Sequence, residues 1–332
     1  MKKNLILLVA FFLLLTACTN KKTIRIEGNA QGTTYHITYV AENAANHKKA
    51  IDSLLKDIDL SMSTWIPNSI ISKINNNENT PVDPYFVEVF NKSIEVSEKT
   101  AGVFDVTIGP LVNFWGFGSA QKKTIDKSKI DSLVQLVGYK MLKLEGNKII
   151  KQKPQIQLDF NAIAQGYSVD VLANYLESKG IDNYLVELGG ELKAKGKKGD
   201  ENWKVGIDTP NEKPTAEKPL QAIIKLDNKA LATSGNYRKF YEENGQKFAH
   251  IINPKTGYPA RQNILSATVI ANDAITADAY ATTFMIMGLE KSKVFLEKNK
   301  ALKLDVYFIY DEKGSWKTYI SEGLKKSIQE IN

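Results

Sequence analysis

"LDFNAIAQGYSVDVLANYL", Leu158 to Leu176, reads as a strand running into a helix, with the Asp159 carboxylate at the joint. Small residues and one glycine, Gly166, follow. The layout is that of a phosphate loop without its glycine spacing or its lysine. Helical character extends from Ala162 to Lys179 and stops at Gly180. Outward from this joint there is no steady βαβ alternation and no repeat of fixed period.

Upstream, "TIRIEGNAQGTTYHITYV" alternates on both sides of a turn and predicts a hairpin. "HKKAIDSLLKDIDL" places Ile51, Leu54, Leu55 and Ile58 at helical spacing. "PYFVEVFNKSIEVSEKT" is a second helix opening on Pro84, and "DKSKIDSLVQLVG" a third ended by Gly138. "YKMLKLEGNKIIKQKPQIQLDF" reads as strands around a turn at Asn147. Downstream, "NYLVELGGEL", "WKVGID", "QAIIKLDN", "ALATSG", "NYRKFYEENGQKFAHII" and "LSATVIAN" are strands. Helices follow at Ala274 to Met287 and near Glu290 to Asn299, before the strands "LDVYFIYD" and "SWKTYIS". Strands outnumber crossover units, so the expected class is α+β rather than a doubly wound parallel sheet. The Pro-rich segment Asp208 to Leu220 suits a surface loop, and "KAKGKKGD", Lys193 to Asp200, a solvated hairpin tip.

The composition, 43% hydrophobic and 24% charged in 332 residues, is that of a globular protein able to bury a large core. Residues 1–17 have a basic start, Lys2 and Lys3, and an unbroken apolar run from Leu5 to Leu15. That run is too short to span a bilayer and has the length of a secretory signal core. "LTAC", Leu15 to Cys18, resembles a lipobox, which makes Cys18 the expected lipidated N-terminus. Cys18 is the single cysteine, and lipidation accounts for a thiol with no internal partner. The expected division is signal peptide 1–17, lipidated N-terminus and tether 18–23, and one domain 24–332. Loss of Lys2 and Lys3 lowers the formal charge of +7 by two. No basic run interleaved with aromatics marks a nucleic-acid surface.

In "NDAITADAYATTFMIMG", Asn272 to Gly288, Asp273 is the expected N-cap. Asp278 and Thr282, at i and i+4, share one helix face. Carboxylate plus hydroxyl suits a hard cation such as Mg²⁺; the plainer alternative is a solvated aspartate. Ala274, Ala277, Ala279 and Ala281 make the helix narrow around that carboxylate. The three histidines, His36, His47 and His250, are too few for a multi-histidine zinc site. His250 precedes the turn "IINPKTGYP" and is either a satisfied strand-end residue or a base or phosphate contact. No G-x-S-x-G is present, and "LGGEL" lacks a P-loop lysine.

The chain resembles the ApbE-type FAD:protein FMN transferases across Ile24 to Ile320. The motifs that carry the likeness run in order: "QGTTY" (31–35), "SMSTW" (61–65), "GVFDVTIGPLVNFWGFG" (102–118), "LDFNAIAQGYSVD" (158–170), "LVELGGEL" (185–192), "ATSGNY" (232–237), "HIINPKTGYP" (250–259) and "ADAYATTFMIMG" (277–288). The resemblance implies mixed, largely antiparallel sheets packed with helices. It implies FAD and Mg²⁺, with FMN attached through its phosphate to a Thr or Ser of an acceptor protein and AMP released. By motif position the implied FAD contacts are Gln31, Trp65, Val103, Phe104, Asp105, Asp159, Gln165 and Ile252. The implied metal ligands are Asp278, Thr282 and Ala162, the last through its backbone carbonyl. Gln31 and Gln165 depart from the residues usual there, Met at the first and Lys or Glu at the second, although an amide still hydrogen-bonds. Pattern alone would make Trp65 a core aromatic, whereas the motif implies stacking on a flavin.

His250 and Asp278 are the catalytic candidates, with His250 ranked ahead as base because a metal-bound aspartate is a poor one. The alternatives are an FAD pyrophosphatase, giving FMN and AMP, and a non-catalytic FAD-binding lipoprotein. The expected location is the cell envelope, anchored by Cys18 on the inner or outer membrane. Expected acceptors are subunits of membrane respiratory redox complexes.

Overall fold

The computed structural model describes residues 21–41, 45–118, 126–210, 220–236, 240–243 and 246–331. Cys18 and most of the Pro-rich 208–220 segment lie outside these. Strands β1 (Lys22–Ala30) and β2 (Thr33–Ala41) form the expected hairpin, turning through Gln31 and Gly32 at φ 52° and 72°. Pairing begins at Lys22 with Ala41, so Lys22 and Thr23, expected in the tether, already belong to the sheet. An eight-stranded antiparallel sheet continues through β5 (Tyr184–Leu188), β6 (Glu191–Lys195), β10 (Ala230–Gly235), β13 (Ile264–Ala271), β14 (Asp305–Glu312) and β15 (Ser315–Ile320), in that order after β2. The α+β class with antiparallel sheets is the one expected. "NYLVELGGEL" is two strands, because Gly189 and Gly190 adopt φ 68° and 111° and reverse the chain.

A smaller sheet packs on one face of the large one. It consists of β7 (Lys197–Lys198), β8 (Glu201–Asp208), β9 (Leu220–Leu226) and β16 (Ile328–Glu330). The hairpins β3 (Leu142–Glu145) with β4 (Lys148–Lys151) and β11 (Phe240–Glu243) with β12 (Gln246–Ala249) stand apart. Lys197 and Lys198 are exposed at the tip of the β7–β8 pair, as their charge suggested.

The period of two along the strands sets the layers. Leu192, Leu231, Ile270, Tyr307 and Ile309 face the small sheet, where Trp203 and Ile224 meet them. Ala232, Val269, Val306 and Phe308 face the helices. The helices are α1 (Lys48–Met62), α2 (Ile70–Asn75), α3 (Pro84–Lys99), α4 (Gly109–Phe114), α5 (Ile130–Val134), α6 (Ala164–Ser178), α7 (Ala274–Met287) and α8 (Leu289–Lys298). α3 opens with Asp83 accepting from Phe86 N, and α7 with Asp273 accepting from Thr276 N. The third expected helix shrinks to α5 and a preceding 3₁₀ turn, and ends before Gly138. Among the described residues no helix is long and apolar enough to cross a membrane.

Candidate active site

The joint at Leu158 is not a strand. It makes one isolated parallel bridge, Ile108 with Gln157, and Asp159 N donates to Val106 O at 2.8 Å. The ladder cannot extend on the other side, because Asn75 occupies the backbone of Leu158. Its Nδ2 donates to Leu158 O at 2.9 Å, and its Oδ1 accepts from Leu158 N at 2.7 Å. The helix also begins two residues late. Ile163 N and Ala164 N both donate to Phe160 O, so residues 160–163 form a turn and α6 starts at Ala164.

That turn leaves the start of α6 without a side-chain cap of its own. The cap comes from α7. Gly166 N donates to Asp278 Oδ2 at 3.0 Å rather than to the Ala162 carbonyl four residues back. Only glycine permits this approach: a Cβ on residue 166 would lie 2.3 Å from Ala274 O and 2.7 Å from Asp278 Cβ. The Asp278 carboxylate therefore sits at a helix N-terminus, where peptide dipoles favour an anion.

Asp278 is buried, not solvated, and the alanines around it are buried too. Burial pushes its carboxyl up to about 7, against the pull of the Gly166 amide. Among the described residues Gly166 N is its hydrogen-bond donor, so Oδ1 is uncommitted. One turn on, Thr282 Oγ1 lies 3.0 Å from Ser234 Oγ. No backbone amide among the described residues occupies the Ala162 carbonyl. A desolvated carboxylate oxygen, a hydroxyl and a carbonyl form an all-oxygen donor set, which fits a hard cation. No cluster of three His, Cys, Asp or Glu exists among the described residues, so such a cation would keep open positions for water or phosphate.

Beside the joint, Asp159 is buried, and Asn161 holds both its oxygens: backbone N to Oδ1 at 2.8 Å, Nδ2 to Oδ2 at 3.0 Å. Burial raises its pKa, partly offset by those bonds. Asp105 is committed to the protein. Its Oδ1 accepts from Thr107 N and Oγ1, and its Oδ2 from Tyr139 N at 2.8 Å. Phe104 is buried in the main core and Val103 packs against it. The family resemblance implies that these three are FAD contacts; within the protein, the bonds of Asp105 fix the 105–107 turn beside Asp159.

The hairpin tip closes the other side. Gln31 Nε2 donates to Ser168 Oγ at 2.7 Å, and Gln165 Nε2 to Gln31 O at 3.5 Å. Gly189 brings β5 against them, since a Cβ there would lie 3.0 Å from Thr33 and 3.1 Å from Gln165 Nε2. Residues 29–34 line an open cleft of about 530 Å³. The buried Gln31 Oε1 makes no hydrogen bond among the described residues. Trp65 is 62% exposed, so it is not the core aromatic that pattern alone suggests.

His250 directly follows β12. Its ring meets Phe117 edge-on at 6.4 Å, and it is half-buried. The turn beyond it is pinned from below. Ile252 is buried with Leu111, Trp115 and Ile130, and Trp115 Nε1 donates to Gly257 O at 2.7 Å. Gly257, at φ 74°, has no room for a Cβ between Ile130 and Val134.

Residues 31–308, which include Gln31, the joint at Asp159, His250 and Asp278, match the model of the ApbE family. The chain belongs to the ApbE family. It is 37% identical to an FAD:protein FMN transferase from Haemophilus influenzae, over 97% of this chain and 96% of that protein. A Vibrio cholerae protein of the same name is 34% identical over 97% and 98%. The solved flavin transferase ApbE from Vibrio cholerae superposes with a TM-score of 0.83, at 34% identity, covering 92% of this chain and 99% of that one. An apo flavinyl transferase ApbE from Pseudomonas stutzeri superposes at 0.81, with 29% identity and coverage of 92% and 97%. Membership makes this chain a transferase.

Within this ApbE chain the sequence assigned no role to Asn75, which holds the joint, to Ser234, which meets Thr282, or to the buried Asp170. Asp170 had a legible signal, a carboxylate between Val169 and Val171 in an apolar helix, which must find a partner once buried. Nothing in the spacing of Asn75 points to the site, and Ser234 is marked only by its place in the "ATSGNY" motif.

Proposed function

We propose that this chain moves the FMN half of FAD onto a Thr or Ser hydroxyl of an acceptor protein and releases AMP. The acceptor oxygen attacks the FMN-side phosphorus. The new P–O bond forms as the bond to the AMP oxygen breaks, and the hydroxyl proton passes to a base. Such chemistry depends on positioning and on charge neutralisation rather than on covalent help from the protein.

One observation carries the reading in a chain of this family: Asp278 is buried against the joint with one oxygen uncommitted, one helical turn from Thr282, while the Ala162 carbonyl of the joint accepts no backbone amide among the described residues. We assign these three as the Mg²⁺ ligands; the cation, when bound, supplies Lewis-acid stabilisation of the diphosphate oxygens. Gln31, Gln165 and Asp159 would hold the nucleotide, and the exposed Trp65 would stack on the flavin ring. The 103–107 turn and Ile252 would frame the cleft. His250, half-buried on its pinned turn, is our choice for the base. A lipid on Cys18 would anchor the chain in the cell envelope, among acceptors that are membrane respiratory redox subunits facing the same compartment.

The test is incubation of the chain lacking residues 1–18 with FAD, Mg²⁺ and a candidate acceptor. Mg²⁺-dependent in-gel flavin fluorescence on the acceptor, with AMP released, is the expected result. Free FMN without an adduct would make the chain an FAD pyrophosphatase. Neither product would leave a flavin-binding protein.

A further inference from the structure

Helices α6 and α7 cross antiparallel, in contact at Gly166, and each caps the other. Gly166 N of α6 donates to Asp278 of α7. Four residues along α6, Asp170 Oδ2 accepts from Ile275 N, in the first turn of α7, at 2.9 Å. The second oxygen of Asp170 is also taken: Lys193 Nζ donates to Oδ1 at 2.8 Å. Lys193 lies on β6 between Leu192 and Ala194, which face the small sheet. Strand alternation therefore turns Lys193 toward the helices, where its ammonium needs a buried partner. The side chains of this pair are 17% and 10% exposed.

The two carboxylates are spent differently. Asp278 keeps an oxygen uncommitted, whereas Asp170 has both oxygens bonded, one to the sheet and one to the α7 N-terminus. Ile275 and Asp278 are three residues apart, so the amide held by Asp170, in the first turn of the helix, and the carboxylate of Asp278, at the start of the second, lie within one turn of each other. A fixed strut on that amide sets the height and rotation of the turn.

We propose that Asp170, braced by Lys193, is a positioning residue for the cation site: it fixes the first turn of α7 so that Asp278 and Thr282 present their oxygens together. The proposal rests on the reading of Asp278 as a cation ligand. Partners that orient a ligand typically govern metal affinity by about 10- to 100-fold.

The experiment uses the full-length chain in detergent, with FAD present and Mn²⁺ as probe, its binding read by loss of the free-ion EPR signal. Asp170→Asn should raise the Mn²⁺ dissociation constant about 10- to 100-fold. The Mg²⁺ needed for half-maximal turnover should rise in parallel, while FAD affinity without metal is kept. A lowered melting temperature with unchanged Mn²⁺ affinity would overturn the proposal, because the strut would then be structural only. If Asp170→Asn does not fold, Lys193→Met carries the test: it keeps the Ile275 bond and removes the brace. Weaker Mn²⁺ binding supports the proposal, and unchanged binding overturns it. A wild-type chain that binds no Mn²⁺ would instead remove the cation site itself.

Discussion

Asn75 holds Leu158 by both backbone groups, accepting from its N–H at 2.7 Å and donating to its carbonyl at 2.9 Å. One side chain thus does the work of a neighbouring strand and ties α2 to the joint. Asn75→Ala should lower stability by about 1–3 kcal/mol, the cost of leaving buried groups unpaired. Urea unfolding checks this. Asn75→Asp, which accepts but cannot donate, should recover only part of the loss.

Asp278 sets a pH dependence. Its folded value of about 7 stands above the ordinary 3.8 because burial disfavours the charge. The cation-free folded protein therefore holds a proton that the unfolded chain has already released, and its stability falls as pH rises from about 4 to 7. Asp278→Asn removes this slope. The variant should gain on the wild type in urea midpoint across that window, and the gap should level off above it. Saturating Mg²⁺ should flatten the wild-type curve, and no response to Mg²⁺ would argue against the ligand assignment.

Trp65 offers a cleaner separation of binding from folding. An indole this exposed contributes little to the core, so Trp65→Ala should leave the melting temperature unchanged. FAD affinity, measured by titration calorimetry, should weaken by about 1–3 kcal/mol if the ring stacks on the flavin. A loss of stability without a loss of affinity would place the side chain in packing instead.

His250→Asn should keep FAD binding and lower single-turnover transfer by about 10²- to 10⁴-fold, the range of general-base catalysis. A near-normal rate would remove His250 as the base. Rates should be compared with Trp115→Phe, which unpins the turn at Gly257 without touching the imidazole, so that displacement and proton transfer are told apart.

Much of this architecture was legible because local signals agreed with the tertiary result. Asp273 and Gly288 mark the ends of α7, and the hairpin turn at Gln31–Gly32 lies where the alternation breaks. Asp278 and Thr282 were legible as a pair because helical spacing alone puts them on one face. The joint was misread as a strand because the competing partner, the Asn75 side chain, lies 83 residues away and carries no local signal. The roles of Asp105 and Asp170 were hidden for the same reason. A carboxylate announces that it needs donors, but Tyr139 and Lys193 are assigned to it only by the fold.

The β1–β2 hairpin also works as a spacer. The strand starts at Lys22 on one end of the sheet and delivers Gln31 to the other end, where Gly189 and Gln165 meet it. Nine residues of strand span roughly 30 Å. With the proposed lipid on Cys18, the stretch to Lys22 adds at most about 14 Å of reach. The cleft would then face away from the bilayer and sweep a band some tens of ångströms above it. Acceptors would be selected by the height at which they display their hydroxyl as well as by the sequence around it.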